Sequence, residues 1–204
     1  MIRLYAAASA LAIAALLGWT SFQIMANRAG DVYAQCRSGA VAGGQIGGPF
    51  TLMGAAGKTV TAADVFAKPA LVYFGYASCA DVCPLDNARN ARAAELLSNS
   101  GYDVTPVFIS VDPARDTPAV LADYTKNISE KLLGLTGTPE QIKAAAAAFK
   151  VYYQVPDNPG KEYEVDHTVL TYLILPKTGY AAAFPREMTA QDMADRTGCF
   201  LKAS

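Results

Sequence analysis

Two cysteines, Cys79 and Cys83, stand four positions apart at the end of an apolar and aromatic run, in the segment YFGYASCADVCPLDNAR. The run predicts a buried strand, and the residues after the cysteines predict a helix. Cys79 is therefore expected in the intervening loop and Cys83 in the first helical turn, where Pro84 is tolerated. Unpaired N–H groups and the helix dipole favour a thiolate there. Such a thiol can act as a nucleophile or as a ligand for a soft metal.

The chain contains one histidine, His167, directly before the strong strand pattern TVLTYLILP. The preceding segment, QVPDNPGKEYEV, is a loop rich in turn-forming residues that can carry the imidazole toward a distant site. Two thiolates and one imidazole form a soft, three-donor set that suits copper as Cu(I) or Cu(II). A structural zinc site would require four protein ligands, and the haem pattern CxxCH and the thioredoxin pattern CxxC are both absent.

Other roles for these residues stay open at this point. The cysteines could be two buried core residues or a structural disulfide, and His167 could serve only in packing or hydrogen bonding.

Strand and helix patterns alternate along the rest of the chain, which predicts an α/β layer structure with a mixed sheet. A β-hairpin is predicted at 50–61, further strands at 69–76, 104–112, 132–137, 168–176 and 179–184, and helices at 85–100, 117–128, 138–153 and 189–204. The helix at 138 carries a capping-box signal, with Thr138 at the cap, Pro139 at the first position and Gln141 able to close the box.

The segment from Leu4 to Met25 has no charged residue and reaches the length of about 20 residues that crosses a bilayer. We favour an uncleaved transmembrane anchor over a signal peptide. Arg3 provides only a short basic region, and the best cleavage site, after Ala26, does not match a small-x-small pattern.

A Gly- and Ala-rich stretch without apolar periodicity follows the anchor. It predicts a flexible tether. The chain is therefore expected to consist of an anchor at 1–26, a tether at 27–48 and a folded domain at 49–204.

The charge composition argues against one class of partner. Seventeen Lys and Arg residues balance 18 Asp and Glu residues, for a net charge of −1, and no Lys/Arg-rich run is present. Nucleic-acid binding requires a basic surface, so no nucleic-acid partner is expected.

Three blocks in this order, YFGYASCADVCP, SVDPARDTP and VDHTVLTYLI, resemble the SCO/SenC family of copper-binding assembly proteins for cytochrome c oxidase. The resemblance covers about residues 49–201. It implies a thioredoxin-like fold with an added N-terminal β-hairpin, preceded by a single transmembrane helix. It also implies one copper ion per chain, bound by Cys79, Cys83 and His167. One departure is Ala80, where the family commonly has proline.

The same resemblance implies delivery of copper to, or maturation of, the dinuclear copper site of cytochrome c oxidase subunit II. The expected partners are subunit II or other oxidase assembly factors, and a copper donor protein. The expected location is the inner membrane, with the domain in the periplasm or, in a eukaryote, in the mitochondrial intermembrane space. The alternative is a thiol-disulfide oxidoreductase that uses Cys79 and Cys83 on the cysteines of that site without transferring copper.

Four further charged residues are expected to stay out of the metal site. Asp112, Arg115 and Asp116 are interpreted as helix-capping and loop salt-bridge residues. Asp166 should point away from the imidazole, because successive strand residues face opposite sides.

Cys36 and Cys199 fall outside these motifs. In an oxidising compartment leftover thiols tend to pair, and these two bracket the folded domain. We predict a disulfide between them; the alternatives are a buried Cys199 and a Cys36 that is free or bonded to another chain.

Overall fold

The computed structural model of the chain describes residues 13–23, 32–36, 46–157 and 160–204. Residues 13–23 are helical, here called α1, and expose large apolar side chains including Leu16, Trp19 and Phe22. Among the described residues, no helix has both the length and the apolar character needed to span a bilayer. The predicted span of Leu4–Met25 lies partly outside the described ranges, so the anchor remains a prediction.

The domain is built on a seven-stranded mixed sheet, as predicted, with the strand order β2-β1-β5-β4-β3-β8-β9. Strands β3, β4 and β5 are parallel, whereas β1, β2, β8 and β9 pair in antiparallel fashion. The predicted N-terminal hairpin is β1–β2, and it joins the sheet by pairing β1 with β5. The sheet strands are β1 (Thr51–Gly54), β2 (Thr59–Thr61), β3 (Ala70–Gly75), β4 (Thr105–Ser110), β5 (Leu133–Thr136), β8 (Thr171–Leu175) and β9 (Gly179–Phe184). A separate two-stranded sheet consists of β6 (Tyr153–Gln154) and β7 (Asp166–His167).

Strand β3 lies near the middle of the sheet, and all six of its residues are buried. It runs parallel to β4 from the pair Ala70–Thr105 to the pair Gly75–Ser110. The carboxyl ends of both strands therefore meet at one edge, where open α/β sheets place their binding sites. The cysteine loop leaves β3 at this edge.

Within the described part of the chain, five helices connect or cover the strands: α2 (Ala62–Val65), α3 (Val82–Asn99), α4 (Pro118–Ile128), α5 (Pro139–Ala148) and α6 (Ala190–Lys202). The capping box of Thr138 and Gln141 is present at α5, as predicted. The short helix α2 was not predicted; a capping box of Thr61 and Asp64 starts it.

The predicted helix at 138–153 is wrong at its C-terminal end. Helix α5 stops at Ala148, and Lys150 takes a left-handed conformation with φ of 55°. The N–H groups of Lys150 and Val151 close the helix end by donating to the carbonyls of Ala147 and Ala146. The chain then enters β6, whose Tyr153 pairs with His167. The residues that follow the helix thereby support the histidine strand.

The structure confirms the predicted Cys36–Cys199 disulfide, with the two Cα atoms 5.7 Å apart. Tyr33 and Cys36 are buried, and the Tyr33 ring centroid lies 5.4 Å from that of Phe200 in α6. Residues 32–36, one of the two described parts of the expected tether, are therefore packed against α6. The domain boundaries at residues 26 and 48 remain predictions.

Candidate metal and thiol site

The cysteine loop connects β3 to α3, with Cys79 in the loop and Cys83 in the first turn of the helix, as predicted. Asp81 occupies the N-cap position, but its side chain caps no N–H group. Cys79 Sγ instead accepts a hydrogen bond from the N–H of Cys83, at 3.4 Å. The sulfur thus takes the role that an oxygen-bearing side chain has at most helix N-termini.

This position gives the two thiols different acidities. Burial acts to raise the pKa of Cys79, but the N–H groups of Cys83, Asp81 and Val82 outweigh burial and lower this pKa below its usual range. Cys83 is fully buried, and burial raises the pKa of its thiol far above the usual range. Cys79 is therefore the cysteine that ionises first as the pH rises.

His167 lies beside the cysteine pair, although it is distant from the pair in the sequence. Its Nε2 atom lies 3.4 Å from Cys83 Sγ, although the two residues are 84 positions apart. Its Nδ1 atom lies 3.1 Å from the carbonyl oxygen of Thr168. A carbonyl oxygen only accepts hydrogen bonds, so the proton of the neutral ring belongs on Nδ1 and the Nε2 lone pair faces Cys83. Burial lowers the pKa of His167, which favours this neutral form.

Two tyrosine rings that the sequence did not single out enclose the imidazole. The centroids of Tyr73 and Tyr76 lie 6.0 and 5.9 Å from that of His167, both edge to face. The spacing of the two tyrosines around Gly75 in YFGY was the available signal, but it reads equally well as ordinary strand packing. The rings fix the plane of the imidazole.

Cys79 and His167 line a cleft of about 300 Å³ that opens to the surface, whereas Cys83 lies behind it. Asp81, Glu164 and Asp166 also line this cleft. Asp166 is exposed, and the imidazole bonds to the Thr168 carbonyl instead of to this carboxylate, as expected from its strand position.

The three predicted ligands are only partly assembled. The structure joins Cys83 to His167 and places Cys79 Sγ on the Cys83 amide. Across residues 13–23, 32–36, 46–157 and 160–204, no three His, Cys, Asp or Glu side chains are grouped closely enough to hold a metal ion. The donor types, two sulfurs and one imidazole nitrogen, nevertheless fit copper.

Residues of the block SVDPARDTP hold the cysteine loop in place. The predicted salt bridge is present between Arg115 Nε and Asp112 Oδ2. The predicted capping role for the aspartates is wrong, because Thr117 caps α4. Asp116 Oδ2 instead accepts hydrogen bonds from the N–H of Ala77, at 2.8 Å, and from the hydroxyl of Ser110, at 2.5 Å. It thereby ties the cysteine loop to the end of β4.

The acidity difference gives a testable expectation. In metal-free protein with Cys79 and Cys83 as free thiols and the Cys36–Cys199 disulfide intact, iodoacetamide should alkylate Cys79 first. The pH midpoint of this reaction should lie below that of an ordinary thiol. Cys83 should react only at higher pH or after unfolding, because it is buried and its pKa is raised. Mass-spectrometric peptide mapping across a pH series measures both rates, with the disulfide-bonded Cys36 and Cys199 as unreactive internal controls. Faster modification of Cys83 would contradict the assignment.

Comparison with known proteins gives consistent matches. A family model described as SCO1/SenC matches residues 39–202. The protein SenC of Rhodobacter capsulatus is 50% identical over 200 residues, covering 97% of this chain and 90% of SenC. The mitochondrial SCO1 homolog 1 of Arabidopsis thaliana is 40% identical over 151 residues, which cover 74% of this chain but only 45% of that protein.

The solved structures agree with this result. The crystal structure of Arabidopsis thaliana ScoI with copper bound matches with a TM-score of 0.74 and 38% identity, covering 78% of this chain and 99% of that one. This match confirms the mixed α/β, thioredoxin-like fold. Since the family model covers most of the chain and SenC shares half of the aligned residues, the chain belongs to the SCO1/SenC family.

Proposed function

We propose that the chain binds one copper ion through Cys79, Cys83 and His167 and delivers it to, or matures, the dinuclear copper site of cytochrome c oxidase subunit II. The observation that carries the proposal is the contact of Cys83 Sγ with His167 Nε2, at 3.4 Å. It brings the chain's one imidazole, with its lone pair facing the thiol, to a cysteine pair of soft-metal type. Membership of the SCO1/SenC family and the copper-bound ScoI structure support the proposal.

Each donor has a distinct part in this function. Cys79 lines the cleft, ionises more readily than Cys83, and meets the incoming ion first. Cys83 must lose a proton to bind, because burial keeps it protonated in the metal-free chain. His167 is already neutral and needs no deprotonation. Copper is cargo here, so the open cleft at Cys79 and His167 is also where a receiving protein can reach it.

The proposed setting is an oxidising space next to a membrane. Leu4–Met25 would anchor the chain in the inner membrane, with the domain in the periplasm or an equivalent compartment. The exposed apolar side chains of α1 and the Cys36–Cys199 disulfide support this setting, because disulfides persist in such compartments. The proposed partners are oxidase subunit II or other assembly factors, and a copper donor protein.

The unequal acidity of the two thiols favours a second candidate, a thiol-disulfide oxidoreductase. In that reaction the Cys79 thiolate attacks a disulfide of the partner and forms a mixed disulfide. Cys83 then loses its proton and attacks the Cys79 sulfur of the mixed disulfide, which breaks the bond to the partner and leaves a Cys79–Cys83 disulfide. The partner's second sulfur leaves as a thiolate and takes up a proton. The partner gains the two electrons that the cysteine pair loses. In this reaction His167 is not a ligand and only modulates the thiols, with its Nε2 atom 3.4 Å from Cys83 Sγ.

The substitution His167→Ala separates the two candidates. For copper binding we expect the affinity for Cu(I), measured anaerobically against a competing chelator, to fall by about 10- to 100-fold or more. The Cys79–Cys83 disulfide should still form, because it needs only the two sulfurs. Gln154→Ala is the matched control, because this residue lies in the same two-stranded sheet and, among the described residues, its side chain donates only to the Val155 carbonyl. X-ray absorption of the wild type should show both sulfur and nitrogen neighbours. If His167→Ala binds Cu(I) as tightly as the wild type, His167 is not a ligand and the oxidoreductase function is favoured.

A further inference from the structure

Arg115 stands between the two chain segments that carry the site. Its guanidinium carbon lies 3.5 Å from the ring centroid of Tyr163, four positions before His167. The same carbon lies 5.5 Å from the ring centroid of Tyr76, three positions before Cys79. Tyr76 in turn meets the His167 ring edge to face. One side chain therefore contacts both the segment that leads to the histidine and the segment that leads to the cysteines.

Asp112 holds Arg115 in this position. Its carboxylate is fully buried and uses both oxygens: Oδ2 pairs with Arg115 Nε, and Oδ1 accepts the hydroxyl of Tyr163 at 2.7 Å. The Asp112 backbone is also fixed, because its N–H donates to Ser110 and its carbonyl accepts the N–H groups of Arg115 and Asp116. Arg115 and Tyr163 thus share one immobile carboxylate at the end of β4.

The segment that carries the histidine has few other regular attachments. Residues 160–165 belong to neither a helix nor a strand, and the following sheet β6–β7 contains only two residue pairs. So short a ladder is only marginally stable by itself. On the other side of His167, the buried side chain of Val165 and the contacts of Tyr163 supply further points of attachment.

We propose that Arg115, Asp112 and Tyr163 form a clasp that positions His167 over the cysteine pair before any metal arrives. Arg115 and Tyr163 are positioning residues, since neither contacts a donor atom. The choice of arginine follows from the geometry, because a planar guanidinium can stack on a tyrosine and pair with a carboxylate at once, whereas a lysine ammonium cannot. The clasp deepens the proposed function, and only its copper measurement rests on that function.

An ordinary surface ion pair would contribute little. The chain contains one for comparison: Arg92 pairs with Glu95 at 2.6 Å on α3, and both side chains are more than half exposed. In the clasp, by contrast, the Arg115 side chain is 19% exposed and that of Asp112 only 1%. Arg92→Ala is therefore the matched control for Arg115→Ala.

The first test uses metal-free protein. Loss of a cation–π contact of this kind is expected to increase the local opening equilibrium of the contacting segment by about tenfold. In Arg115→Ala we therefore expect about tenfold faster amide hydrogen exchange at residues 160–168, and smaller increases in Arg115→Lys and Tyr163→Phe. Because His167 is the chain's one histidine, its imidazole NMR signals are unambiguous; they should shift in the three clasp variants but not in Arg92→Ala.

Tyr163→Phe keeps the charge pair and removes a single hydroxyl, so it answers the objection that Arg115→Ala merely unfolds the domain. Unchanged exchange and unchanged His167 signals in Tyr163→Phe and Arg115→Lys would overturn the clasp. The second test measures Cu(I) affinity, which should fall about tenfold in Arg115→Ala, with Cys79 alkylation unaltered. A wild type that takes up no copper would refute the proposed function, while hydrogen exchange would still decide the clasp.

Discussion

Replacing both Cys36 and Cys199 with alanine is expected to lower the free energy of unfolding by up to about 5 kcal/mol. The disulfide joins residues 163 positions apart, so it restricts almost the whole domain in the unfolded state. The chain-entropy treatment gives about 5 kcal/mol for a loop of that length, as an upper value. The bridge also holds Tyr33 against Phe200, so buried apolar contacts are lost with it. Alanine is used because Cys36 is buried and a serine hydroxyl would add a desolvation cost.

Urea unfolding of wild type and double variant, each with and without reductant, measures this effect. Reductant should destabilise the wild type to the level of the double variant and leave the double variant unchanged. In folded protein with Cys79 and Cys83 as free thiols, Cys79 alkylation should be the same in wild type and double variant. The disulfide lies between η1 (Ala34–Cys36) and α6, outside the site. Identical unfolding midpoints for oxidised wild type and double variant would show that the bridge adds no stability.

Short-range sequence patterns were sufficient for most of the fold. The alternation of apolar runs and helical patterns predicted the mixed sheet, and the Thr138–Gln141 signal marked the start of α5. The same local logic placed Cys79 before α3 and Cys83 in its first turn, because a loop between a buried strand and a helix leaves little freedom. These features depend on neighbours within a few residues.

Features that depend on distant residues could not be read in the same way. The contact between Cys83 and His167 spans 84 positions, so no local pattern showed it. The donor types suggested that these residues could meet, and the resemblance to a family implied it. The end of α5 depends on the pairing of Tyr153 with His167, which overrides the helical tendency of residues 149–153. Asp112 and Arg115 were predicted as a loop salt bridge, but nothing in their local sequence shows that Tyr163 packs on them.

Substitution of Gly75 is expected to have the second large effect on stability. Alanine there should lower the free energy of unfolding by about 1–3 kcal/mol, as overpacking of a dense interior does. A Cβ atom at this position would lie 2.9 Å from Cys83 Sγ, 3.0 Å from Tyr73 Cε1 and 3.2 Å from Phe108 Cε2. All three neighbours are fully buried, so none can turn into solvent. The closest contact is with the sulfur that meets His167, so the substitution should disturb the site as well as the packing.

Gly198→Ala is the matched control, because a Cβ there would meet only Leu97 Cδ2, at 3.8 Å, within helix α6. Alanine is the better helix former, so this variant should gain up to about 1 kcal/mol. The two glycine substitutions therefore shift the urea midpoint in opposite directions. The His167 imidazole signals should move in Gly75→Ala alone, because only there is Cys83 Sγ displaced. A Gly75→Ala protein with wild-type stability and unchanged imidazole signals would contradict this prediction. It would mean that the backbone of β3 shifts to make room for the added methyl group, and that the Cys83–His167 contact does not require glycine at position 75.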